Sequence, residues 1–131
     1  MSKFKYIEEF EINASPKILY PYLDSPSGLQ DWFCPKVNVD EDNIYTFNWD
    51  GKDNFARKTM HRLNKSVRFN FLDENKKDVE DPDYIDFQIE TSELTQGQFL
   101  RVTDYSEEND EEELREMWLN MIYDLKSIIG G

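Results

Sequence analysis

The segment NDEEELREMWLNMIYDLKSII, residues 109–129, decides the fold. Counted from Leu114, its apolar residues Met117, Trp118, Met121, Ile122, Leu125, Ile128 and Ile129 stand at offsets 3, 4, 7, 8, 11, 14 and 15. That series is one apolar stripe on an α-helix. Arg115, Glu116, Asn120, Asp124 and Ser127 fall on the other side. The ends agree: Asn109 is the expected N-cap, Asp110, Glu111 and Glu112 suit the positive end of the helix dipole, and Lys126 suits the negative end. Gly130 is placed to stop the helix. A rod of that length spans roughly 30 Å and needs a broad apolar surface to lie on.

The preceding chain supplies strands. From Lys36 to Tyr105 the apolar period becomes two: Val37 and Val39, then Tyr45, Phe47 and Trp49, then Val67, Phe69 and Phe71, then Ile85, Phe87 and Ile89. Residues 55–63 and 99–105 read as two further strands of the same set. Asp50-Gly51 is a hairpin signal, with Lys52-Asp53-Asn54 predicted to lengthen its loop. Asp73 to Asp83 is a polar, acidic loop. Short turns between consecutive strands imply an antiparallel meander.

Upstream, Phe4, Tyr6, Phe10 and Ile12 share one parity of a first strand, and Glu8 shares it with them. Ser15-Pro16 and Ser25-Pro26 each pair an N-cap with proline at the first helical position. Two short helices are predicted, the first shortened or kinked by Pro21, with Ile18, Leu19, Tyr22, Leu23, Leu29, Trp32 and Phe33 inward. The first strand is expected at an edge or beside the last one.

This order resembles the helix-grip superfamily of START-like (SRPBCC, Bet v 1-like) and polyketide-cyclase-like domains, and within it the branch related to the activator of Hsp90 ATPase. The resemblance covers nearly the whole chain. It is carried by Ser15-Pro16-Lys17-Ile18-Leu19-Tyr20, by Leu29-Gln30-Asp31-Trp32-Phe33-Cys34-Pro35, and by Trp118 between Leu114 and Leu125. Asp50-Gly51-Lys52-Asp53 replaces the family's glycine-rich turn, and the loop of residues 73–83 is unusually long and acidic. The resemblance implies an α+β fold: a curved antiparallel sheet of six to seven strands around a long C-terminal helix, with two short helices after the first strand. It also implies either a cavity for lipids or other apolar molecules, or a surface that docks on a chaperone.

A chain of 131 residues suits one domain, here 1–131, and holds a core without metal or disulfide staples. The net charge of −13 disfavours nucleic acid and anionic membranes, and suits solubility or a basic protein partner. One cysteine, Cys34, excludes an internal disulfide and points to the cytoplasm. No apolar run reaches the ~20 residues of a membrane span, and the N-terminus lacks the apolar segment of a secretion signal.

No catalytic constellation emerges. His61, the single histidine, shares parity with Phe55, Arg57 and Thr59 and has no evident nucleophile beside it. Cys34 reads as buried packing, and one His with one Cys makes no metal site. Glu8 is the acid with inward parity. Arg57, Arg68 and Arg101 read first as solvent-facing partners of the abundant acids, and any one of them turned inward is a candidate anchor for a ligand carboxylate. The remaining feature is the set Trp32, Phe33, Phe47, Trp49, Phe69, Phe71, Phe87, Met117, Trp118 and Met121, either a filled core or the wall of a hollow one. The leading expectation is a non-enzymatic domain binding a small apolar ligand, lipid or aromatic, between sheet and last helix, without cofactor or metal. The alternative is a co-chaperone-like interaction module using Asp78, Glu80 and Asp81. An enzyme of the cyclase or hydrolase kind is the third.

Overall fold

The computed structural model describes residues 2–130. The chain runs β1 (Phe4–Ile12), α1 (Pro16–Leu19), α2 (Pro21–Asp24), α3 (Pro26–Trp32), β2 (Lys36–Val39), β3 (Ile44–Trp49), β4 (Lys52–Arg62), β5 (Ser66–Phe71), β6 (Tyr84–Thr91), β7 (Gln98–Ser106) and α4 (Glu111–Ile129). The strands form one antiparallel sheet in the order β1-β7-β6-β5-β4-β3-β2. β1 is therefore both an edge and the partner of β7.

Alternation decides which face each strand buries. Tyr6, Phe10 and Ile12, Phe47, Val67 and Phe69, Ile85 and Phe87, and Leu100 and Val102 face α4 and the short helices as one core. Ser15 and Ser25 cap α1 and α3 as their side chains accept from the Ile18 and Gly28 amides, and proline follows each. Pro21 divides the first predicted helix into two single turns, α1 and α2, because it can begin a turn but cannot continue one. The elbow is tied to the sheet by Tyr20 Oη donating to the Ser66 carbonyl at 3.0 Å and Tyr45 Oη to the Asp24 carbonyl at 2.7 Å.

The long helix begins one residue later than expected. Asp110, not Asn109, is the cap: its Oδ1 accepts from the Glu113 amide at 3.1 Å. Gly130 closes the other end at φ +86°. The stripe is also narrower than predicted. Leu114, Trp118, Ile122 and Leu125 are buried, Met121 and Ile129 lie at its margin, and Met117 and Ile128 are each 43% exposed. The helix packs on α3 and β1, with Trp118 reaching Phe87 of β6 and Asp104 of β7, and both flanks of the stripe stay uncovered.

One turn and one strand depart from expectation. Trp49 pairs with Lys52, so the first hairpin loop is only Asp50-Gly51, both at positive φ (53° and 80°). That is the two-residue turn whose twist matches the strands, and Lys52-Asp53-Asn54 belong to β4. Gly51→Ala is expected to cost about 1 kcal/mol in denaturant unfolding, although no atom lies near enough to clash, because the cost is backbone strain alone. In β4 the register shifts between Lys58 and Met60. This bulge carries His61 to the face of Ala56 and Lys58, opposite Val67, and off the parity of Phe55 and Arg57.

Candidate functional site

The predicted aromatic set separates into two groups. Phe33 meets Phe47, Phe87 and Trp118 at centroid distances of 5.6, 5.8 and 5.8 Å, and Trp32 meets Phe87 at 5.7 Å. Phe47 meets Phe69 at 5.5 Å. These are ring-to-ring contacts, so Trp32, Phe33, Phe47, Phe69, Phe87 and Trp118 fill the space between them. Met121 sits half-buried at the margin and Met117 is exposed.

Trp49 and Phe71 form the margin of this ring network: Trp49 meets Phe33 at 5.3 Å and Phe47 at 5.6 Å, and Phe71 meets Phe47 at 6.1 Å. Both are half-buried and reach a cleft of about 420 Å³ at one end of the sheet. This end gathers the β3–β4 turn, the start of the 73–83 loop and the end of β7. There the inward row of the sheet lines the cleft: Trp49 from β3, Asn54 from β4, Phe71 from β5, Ile85 from β6, and Asp104 and Ser106 from β7. The lining is mixed: the apolar side chains of Trp49, Phe71, Leu72 and Ile85 stand beside one lysine and five acids.

Asp104 is the residue that reading the strands for aromatics missed. It continues the row Leu100, Val102, Asp104 and is 7% exposed. Its Oδ2 accepts from the indole Nε1 of Trp118 at 2.9 Å. Burial pushes its carboxyl above the ordinary aspartate range, the indole pulls it partly back, and Asp83 and Glu108 push it up again. The period-two pattern was the available signal, since an acid in an otherwise apolar row must face the core.

The other candidates lie outside the cleft lining. Glu8 is half-buried and accepts a hydrogen bond from the Tyr6 hydroxyl. His61 lies 3.6 Å from Asp24 Oδ1, which also holds Lys58, and it stands beside the Tyr20 ring. The Cys34 thiol donates to the Lys36 and Asn48 carbonyls at 3.3 Å each, and burial raises its pKa, which keeps it protonated and inert. Arg57, Arg68 and Arg101 all turn outward, to Asp78 (3.4 Å), Asp86 (2.9 Å) and Glu90 (2.8 Å). Among the described residues no group of three or more His, Cys, Asp or Glu side chains is arranged to hold a metal ion. Among the described residues no helix is long and apolar enough to cross a membrane.

Comparison with known proteins places this geometry. The chain is similar in structure to the Aha1 dimer from Colwellia psychrerythraea, at 22% identity, TM-score 0.71 and 96% coverage of each chain. It is also similar to a Bacteroides fragilis protein solved by NMR, at 30% identity and TM-score 0.63, covering 98% of this chain and 92% of that one. A Mesorhizobium loti protein shares the fold at 14% identity and TM-score 0.74, with 97% of each chain covered. No protein of curated function matches the sequence. The START-like superfamily domain matches residues 1–131, and the chain belongs to that superfamily.

Proposed function

We propose that residues 1–131 act as one non-enzymatic binding domain that holds a small, largely apolar ligand in the cleft at the open end of the sheet. One observation carries this reading: the apolar inward row, packed ring on ring elsewhere, meets solvent at the half-buried Trp49 and Phe71, and the buried Ile85 shares the cleft lining with them. A volume of about 420 Å³ lies within the range of small-molecule pockets. Neither His61 nor Cys34 lines the cleft, which supports binding over bond-making. The single buried cysteine supports a cytoplasmic setting.

The test is an NMR titration of the full chain with phenylbutanol. Saturable shifts are expected at the Trp49 indole, the Ile85 methyls and the Ser106 amide. An absence of shifts, or shifts centred on another surface, would remove the proposal.

A second reading is docking of a basic protein on the acidic loop 73–83. Its support is exposure: Glu74, Asp78 and Glu80 stand in solvent. Asp81 is partly committed, since Tyr105 Oη donates to its Oδ1 at 2.8 Å and Lys3 reaches its carbonyl. Neutralising Asp78, Glu80 and Asp81 should weaken capture of a basic partner in a salt-dependent way. Unchanged capture after that triple change would end this reading.

A further inference from the structure

Building on the cleft reading, we propose that the ligand is a small organic cation: its ammonium group is held against Asp104 while its apolar body lies on Trp49, Phe71 and Ile85. A fatty acid or other carboxylate would be rejected. Three observations carry this, and the count of acids is the least of them.

The first is the position of Asp104. It stands in the apolar inward row, more than nine-tenths buried, yet it lines the cleft. Among the described residues, the Trp118 indole is the one hydrogen-bond donor to its side chain, and it engages Oδ2. Oδ1 is left for a donor arriving through the cleft. Among the described residues no arginine, lysine or histidine side chain is paired with this carboxylate, although Arg57, Arg68 and Arg101 each pair with an acid on the outer face.

The second is the balance of the lining. Lys52 is its single cation, against Asp53, Asp73, Glu74, Asp83 and Asp104. Lys3 offsets Asp83 at 2.8 Å, Asn48 engages Asp53, and the backbone amides of Asn75 and Lys77 engage Asp73. The field at the cleft stays negative. The third is the aromatic content: faces of Trp, Tyr and Phe attract cations and give a carboxylate nothing.

The energetics point the same way. A carboxyl whose folded pKa is raised contributes stability only while protonated. That contribution is present below the ordinary aspartate pKa and is lost as pH rises through the folded value. Above that value the carboxylate costs the fold stability, whereas an asparagine would accept the same indole hydrogen bond with no buried charge.

The experiment compares phenylbutylamine, phenylbutanol and phenylbutyrate, which share one body and differ in charge, by calorimetry on the full chain. The amine is expected to bind at least about tenfold more tightly than either of the others. Asp104→Asn should erase that preference while retaining the alcohol, and should melt at a higher temperature than the parent. Glu41→Gln, at an exposed site away from the cleft, should change neither. Equal binding of amine and alcohol overturns the inference and leaves the cleft reading intact. An amine preference reduced as much by Glu41→Gln as by Asp104→Asn reports only the overall negative charge and also overturns it. A lower melting temperature for Asp104→Asn would make the carboxylate a structural group and would likewise refute the assignment. No binding by any of the three removes the cleft reading together with this one.

Discussion

Trp118→Ala is expected to cost about 4–5 kcal/mol, read by denaturant unfolding, and to leave little native protein near physiological temperature. The indole is fully buried and touches Trp32, Phe33 and Phe87 at centroid distances of 6.5, 5.8 and 6.1 Å. Removing it opens a void where α3, α4 and the sheet converge, and rigid neighbouring rings relax poorly into it. It also takes away the indole donor to Asp104. The two contributions are separable. Trp118→Phe keeps most of the volume but strands the carboxylate, so it should cost about 2–3 kcal/mol. Placed on Asp104→Asn, the same change should cost about 1 kcal/mol less, since a neutral acceptor loses less than a charged one when its donor is gone. Strict additivity in that double-mutant cycle would mean that the indole–carboxylate bond contributes nothing.

Gly28→Ala should be nearly as damaging, at about 2–4 kcal/mol, although it adds one methyl group. A Cβ at this position would lie 2.7 Å from Tyr22 Cα and closer still to the Pro21 carbonyl oxygen. Both are backbone atoms, so no side chain can swing aside. The elbow would have to open, moving Trp32 away from the Tyr22 carbonyl it binds at 2.7 Å and moving Phe33 with it. Loss of near-ultraviolet circular dichroism should accompany the fall in stability. A variant that keeps both the signal and the melting temperature would show that α2 and α3 separate freely. Glycine here serves close approach, not a left-handed turn, which is why the sequence pattern around Ser25-Pro26 did not single it out.

Much of this architecture was legible because periodicity is a local property. The stripe through Leu114, Trp118, Ile122 and Leu125 marked the long helix, and the alternation through Phe47, Phe69 and Phe87 marked the buried face of the sheet. The Ser-Pro pairs marked the two starts that bracket the elbow. Periodicity does not report how far a face is covered. Met117 and Ile128 satisfy the spacing of the stripe as well as Trp118 does, and they remain outside because the elements packed on the helix leave both flanks of the stripe uncovered.

The chain's own order of residues determined the elements, their buried faces, the acidic surface and membership of the START-like superfamily. The tertiary structure alone decided that the aromatic rings close on one another, that a bulge turns His61 to the inner face, and that the opening lies at the end of the sheet. It also set Asp104 under the indole of Trp118, fourteen residues away in sequence. The reason is physical: a hydrophobic period is set by a residue's immediate neighbours, whereas a cavity, a bulge and a buried ion depend on contacts between strands that no local pattern records.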